Sequence, residues 1–296
     1  MEFIICSDYD ELSEKAADIF AETVKADPKC TLGLATGSTP VGTYKRLVER
    51  FRNGELDFSG VTTYAGAQNP SYMRKPQLEE FKDFNNIKMV TLAPELEGSE
   101  SFIENCGVHI SLGHTACDYD TAMKAFAAGA DCLTHTFNAM KPIHHRAPGM
   151  IPAAVDAGTY AQVICDGVHI HPSVIRMLYK LFGADKMILI SDSMPAAGLP
   201  DGEYTLGGDR VTVTDGIART PDGALAGSTS FLLDCVKQAV KFGIPFDDAV
   251  KMATETPAKY LGEKLGKIEV GYPADFLVFD ESFNLTSTII NGEIFR

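Results

Sequence analysis

Four positions far apart in the chain share one local setting, an apolar run that stops at a polar group and a turn. His114 follows Val108–Leu112 and Gly113, and His135 follows Cys132-Leu133-Thr134. His169 follows Gln162–Cys165 and Asp166-Gly167-Val168, and Asp192 follows Met187–Ser191. One histidine at a strand end is ordinarily structural; several on successive strands, with an aspartate at the last, are hard to assign to chance. Two neutral imidazoles suit a divalent, zinc-like ion, and a catalytic site takes about three protein ligands plus water. His114 and His135, one strand apart, are the natural metal pair. Asp192 can take a proton from an activated water and return it to a leaving amine. His169 can donate to a carbonyl or its oxyanion if its proton is suitably placed. Metal, base and donor together describe hydrolysis of an amide or similar bond.

These groups need a scaffold that presents strand ends on one side. Strands are predicted at Met89–Leu92, Val108–Leu112, Cys132–Thr136, Gln162–Cys165 and Met187–Ser191, with helices between them such as Thr121–Ala128 and Pro172–Leu181. Such alternation argues for a parallel sheet with helices outside, and in a (β/α)8 barrel the catalytic groups come from the C-terminal strand ends. Asp166 is expected to cap or orient the turn that carries His169. His109 reads as an ordinary strand residue, His171 as a surface residue, and His144 and His145 as loop residues.

Composition sets bounds. The chain has 296 residues, 45% hydrophobic and 22% charged, with a net charge of −14. With no local basic patch, that balance argues against nucleic acid or an anionic membrane as partner. A small anionic ligand is still compatible, because one arginine or a helix N-terminus can bind it against the global field. The N-terminus is too short and too acidic nearby for a signal peptide, and no apolar run approaches the ~20 residues of a membrane span. Seven scattered cysteines with no C-x-x-C pair read as reduced thiols of a cytoplasmic protein.

Motifs along residues 65–296 resemble the N-acetylglucosamine-6-phosphate deacetylase family. They are Ser111-Leu112-Gly113-His114, Thr134-His135-Thr136-Phe137-Asn138-Ala139-Met140, Arg146-Ala147-Pro148-Gly149, Asp166-Gly167-Val168-His169, Ser191-Asp192, Leu225-Ala226-Gly227-Ser228 and Gly271-Tyr272-Pro273-Ala274-Asp275-Phe276. The resemblance implies His114 and His135 as ligands of one divalent ion and Asp192 as general acid and base. It also implies substrate contacts from Asn138, Ala139, His169 and Arg146, the last on the phosphate, with Ala67 and the Leu225, Ala226 and Gly227 backbone lining the sugar site. The expected reaction is release of acetate from N-acetyl-D-glucosamine 6-phosphate, giving D-glucosamine 6-phosphate. A small sugar phosphate is the expected partner, and a homo-oligomer is compatible.

Residues 1–64 have a different pattern: a strand at Phe3–Cys6, a helix at Asp10–Val24 with Leu12, Ala16, Ile19, Phe20 and Val24 apolar, a strand at Thr31–Ala35, a helix through Tyr44, Leu47 and Phe51, and a strand from Val61. Leu32–Tyr44, with its Gly37-Ser38-Thr39 turn, resembles the start of glucosamine-6-phosphate deaminase, whose later catalytic residues are absent here. The deacetylase resemblance implies that the family's first barrel strands, and a metal-ligand glutamate on the third, are missing. Glu95, which follows Met89-Val90-Thr91-Leu92-Ala93-Pro94, is a conceivable substitute. The fold class expected is therefore α/β: a partial (β/α)8 amidohydrolase-type barrel (65–200 and 225–265) with a small β-sandwich remnant (201–224 and 266–296), preceded by a β-α-β-α-β fragment (1–64). Either an imperfect hybrid barrel or a fold completed by another chain is expected. A non-catalytic sugar-phosphate binder is the alternative function, and deaminase activity the least favoured.

Overall fold

The computed structural model describes residues 8–28, 31–34, 41–58, 62–65, 87–207, 209–281 and 283–295. The strand expected at Phe3–Cys6, the Gly37-Ser38-Thr39 turn and Ala67 lie outside them. In chain order the first elements are α1 (Tyr9–Ala26), β1 (Thr31–Leu34), α2 (Val41–Arg52), β2 (Thr62–Ala65), β3 (Ile87–Leu92), α3 (Ser99–Asn105), β4 (His109–Leu112) and α4 (Tyr119–Ala128). Then come β5 (Cys132–Leu133), α5 (Met150–Ala157), β6 (Tyr160–Ile164), α6 (Pro172–Phe182) and β7 (Met187–Ile190). β8 (Gly202–Leu206), β9 (Asp209–Thr214) and β10 (Ile217–Arg219) precede α7 (Leu232–Lys241), α8 (Phe246–Ala253) and α9 (Glu255–Tyr260). The chain closes with β11 (Phe276–Phe279), β12 (Leu285–Ile290) and β13 (Glu293–Ile294).

β1 to β7 form one parallel sheet in sequential order, the arrangement of a barrel wall. Of the two expected outcomes the strands follow the hybrid wall: β2 pairs with β3, and residue 64 falls inside β2 rather than at a boundary. Alternation along the strands sorts the side chains. Ile110, Leu112, Leu133, Val163, Met187 and Leu189 are buried in one cluster with Ala154 of α5, Ile175 and Leu178 of α6 and Met252 of α8. The alternate positions Thr91 and Ser111 hydrogen-bond Thr134 Oγ1 at 3.1 and 2.6 Å, a small hydroxyl layer at the end of the sheet that carries the site. Nearer the strand starts, Tyr260 packs with Cys132 and Ile188 and donates to Asp131 Oδ1 at 2.8 Å, while His109 Nδ1 meets Asp131 Oδ2 at 2.6 Å.

The helices start where the sequence supplies caps. Asp118 accepts from Thr121 N at 2.9 Å ahead of α4, and His171 accepts from Ser173 N at 3.2 Å with Pro172 in the first turn of α6. One expectation fails in α1. Its buried face is Ser13, Ala17, Ala21 and Val24, whereas Leu12 and Ile19 are exposed. Small residues face α2, so the two helices approach closely; Phe20 packs against their shared cluster, and Leu12 and Ile19 are left outside.

The expected sandwich does not appear as one unit. β8–β10 form one antiparallel sheet around Val211, Val213, Ala218, Met194 and Ala196, and β11–β13 form another that is largely exposed. Among the described residues, no helix is long and apolar enough to cross a membrane.

Candidate active site

Register places the first two site residues. Leu112 of β4 is paired with Leu133 of β5, and His114 and His135 each stand two residues beyond that pair. Gly113, between them, lies so close to β5 that an added Cβ would be 2.6 Å from Thr134 Cβ. β5 was expected to run to Thr136 but stops at Leu133, because the backbone must turn. His135 has φ of 30° and Phe137 of 77°. His114 (φ 49°), Ala139 (48°) and Asp192 (52°) are left-handed too. Such conformations cost a non-glycine residue about 1–2 kcal/mol each. Asp215, Phe283 and Asn291 aside, every such residue among those described lies on these strand-end turns, where the strain aims side chains.

The two imidazoles meet. His135 Nε2 is 2.8 Å from His114 Nε2, with the rings edge to face at a centroid distance of 4.5 Å. Burial, and then the charge of His135, push His114 down to about 4. Burial also lowers His135, opposed by Asp192 and reinforced by His169, so both of those groups act electrostatically on it. Both imidazoles are therefore neutral at pH 7, the form that binds a metal.

Does this pair fit a divalent ion? Two nitrogens at tetrahedral corners, each about 2.0–2.1 Å from zinc, stand about 3.3 Å apart. The pair need open by only about half an ångström to reach that spacing. His135 Nδ1 is buried without a hydrogen-bond partner. These two residues fit as two corners of a metal site. Among the described residues, no cluster of three or more His, Cys, Asp or Glu supplies a complete set. Glu95 does not extend the pair: its carboxylate accepts from the Thr115 hydroxyl and, at 2.8 Å, from Ala116 N. It pins the loop after His114, a role that sequence reasoning missed.

His169 is held from behind. Its Nδ1 lies 2.7 Å from Asp166 Oδ2, and the two side chains are 5% and 2% exposed. Burial alone would raise the Asp166 carboxyl. Hydrogen bonds from the His169 side chain and from the His169 and Val168 backbone outweigh burial and hold it well below the usual carboxylate range. An ionised carboxylate only accepts, so the proton of a neutral His169 sits on Nδ1 and Nε2 presents a lone pair. Donation to a carbonyl, as expected from sequence, thus requires the imidazolium.

The remaining residues fall into three groups. Asn138 turns its amide back onto its own turn, donating to His135 O at 3.1 Å, and Ala139 O accepts from Thr115 N at 3.0 Å, joining the turns after β4 and β5. Leu225, Ala226 and Gly227 run beside the Asp192 turn, with Ser228 N on Asp192 O and Met194 N on Ser228 O, each at 2.8 Å. Arg146 is exposed and bonds within its own loop, donating Nη1 to His145 Nε2 at 2.6 Å.

The sequential parallel sheet with polar residues at its strand ends has the order of a (β/α)8-type wall, and comparison with known proteins agrees with that fold. The Amidohydrolase family model matches residues 37–295, and the chain belongs to that family. N-acetylglucosamine-6-phosphate deacetylase of Vibrio furnissii is 36% identical over 241 residues, covering 77% of this chain and 60% of its own length. N-acetylgalactosamine-6-phosphate deacetylase of Escherichia coli O157:H7 is 34% identical over 279 residues, covering 87% and 74%. The structure of N-acetyl-D-glucosamine-6-phosphate deacetylase from Mycobacterium smegmatis, in complex with N-acetyl-D-glucosamine-6-phosphate, matches with a TM-score of 0.76 at 30% identity, covering 98% of this chain and 74% of that one. The chain thus spans 60% of the length of the Vibrio protein.

Proposed function

We propose that the chain is a metal-dependent amide hydrolase that converts N-acetyl-D-glucosamine 6-phosphate and water to D-glucosamine 6-phosphate and acetate. The observation that carries this reading is the convergence of His114 and His135 through Nε2 at 2.8 Å, on the strand ends that also present Asp192. These two residues would hold one zinc-like ion, which when bound supplies Lewis acidity to the amide carbonyl and activates water. Asp192 removes the proton of the attacking water and delivers it to the departing amine nitrogen. His169 lies on the same side, its buried carboxylate balancing any positive charge it gains. Arg146, exposed on its loop, serves the phosphate. Asn138, Ala139 and the Leu225–Gly227 backbone shape the sugar site, with Ala67 assigned there from sequence alone.

The relatives named above favour this substrate class. Residues 1–64, read as deaminase-like, contribute β1 and most of β2 to the parallel sheet, which favours a scaffolding role over deaminase chemistry. One observation favours a second reading, a sugar-phosphate binder without turnover: the described residues supply two ligands rather than three.

Acetate release by the metal-supplemented protein, compared with Asp192→Asn, tests the proposal. Turnover that falls at least about 100-fold in the variant supports it. Turnover indifferent to the change, or binding with no turnover, contradicts it. No ammonia release from D-glucosamine 6-phosphate is expected.

A further inference from the structure

Ser228 ends the Leu225–Ser228 motif yet has no place in the reading above. It is 3% exposed and bonded through every polar atom it has. Its N–H donates to Asp192 O and its carbonyl accepts from Met194 N, each at 2.8 Å. Its Oγ accepts from Ser230 N at 3.1 Å and donates to Asp166 Oδ2 at 2.8 Å. That same Oδ2 receives His169 Nδ1 at 2.7 Å, while Oδ1 receives Val168 N and His169 N at 2.9 and 3.0 Å. Asp166 is therefore saturated with four donors, and one serine joins the Asp192 turn to the His169 turn.

We propose that Ser228 and Asp166 form one positioning unit, which fixes the proton of neutral His169 on Nδ1 and locks His169 in place relative to Asp192. The carboxylate determines the tautomer, because it accepts and cannot donate. The serine hydroxyl holds Oδ2 beside the ring, while the Val168 and His169 N–H groups hold Oδ1, so the carboxylate is fixed from both ends. The consequence is a histidine whose Nε2 accepts, either a substrate hydroxyl or a proton, and which donates only after gaining a proton. The tautomer claim stands on geometry alone; its kinetic consequence rests on the hydrolase reading.

Two measurements on the metal-supplemented protein test this. Long-range proton–nitrogen correlation spectra of [15N]histidine-labelled protein, with His169→Gln to assign the signal, report which ring nitrogen is protonated. Nδ1–H is expected in the native protein, with a shift toward Nε2–H in Asp166→Asn. Native His169 protonated on Nε2, or a tautomer unmoved by Asp166→Asn, overturns the proposal. The second measurement is a kinetic cycle. Ser228→Ala removes a single hydroxyl and is expected to lower kcat about tenfold with little change in KM. In a His169→Gln background the same substitution is expected to cost less than about twofold, because its effect runs through His169. An equal loss in both backgrounds means that Ser228 is merely structural and overturns the coupling. If native protein releases no acetate, the hydrolase reading fails while the spectra still decide the tautomer.

Discussion

Substituting Gly227 should disturb the Asp192 turn in a way that can be worked out beforehand. Its φ is +70°, and a Cβ there would lie 3.0 Å from Met194 Cβ and 3.1 Å from Asp192 O. That carbonyl is the acceptor for Ser228 N, so it cannot retreat without loosening the strap over the site. For Gly227→Ala, left-handed backbone costs about 1–2 kcal/mol. Crowding of well-packed neighbours adds about 1–2 kcal/mol more. Gly223 is the internal control. Its φ is +88° with nothing within 4 Å, so Gly223→Ala carries the backbone cost alone. At about 2 °C per kcal/mol for a chain of this size, the melting temperature should fall about 2–4 °C for Gly223→Ala and about 4–8 °C for Gly227→Ala. Displacing the Asp192 turn by a few tenths of an ångström should also reduce acetate release about tenfold in Gly227→Ala only. Thermal melts and acetate assays on matched preparations read both effects. Two variants that melt and turn over alike would refute the claim that Gly227 is required by its neighbours rather than by its backbone.

Glu95→Gln should leave metal content unchanged while lowering stability by about 1 kcal/mol, because the side chain holds the Thr115 loop; a fall in metal content would make Glu95 a ligand. Thr136 Oγ1 is buried with no partner, so Thr136→Val should stabilise the fold by about 1 kcal/mol in denaturant titration. Loss of stability or turnover there would show that the hydroxyl has a role. Asp166 should shape acid denaturation. Its carboxyl is held below the unfolded value of 3.8, so the unfolded chain takes up that proton first. The stability it contributes is fully present above that value and lost as pH falls below it. Asp166→Asn should therefore flatten the stability profile below about pH 4, and an unchanged slope would contradict the assignment.

Much of the site was legible because each key residue closes an apolar run, and strand-end position is a local property. Leu112 and Leu133 were readable as strand residues, and their pairing follows from adjacency in a parallel wall. Long-range choices were not legible. Nothing local decided between a hybrid wall and a fold completed by another chain, and α1 buries alanines because α2 approaches that side. Ser228 lies 62 residues from the carboxylate it holds, so its role emerges only when the two turns meet. The early end of β5 was hidden as well, since an apolar run does not record the left-handed turn that His135 adopts.

The central claim is that His114 and His135 hold a divalent ion at the ends of β4 and β5. Metal content per chain, measured on gel-filtered native protein beside His135→Ala, tests it most directly. The account predicts about one zinc-like ion per native chain and close to none in the variant. A metal-free native protein, or undiminished metal in the variant, would contradict it.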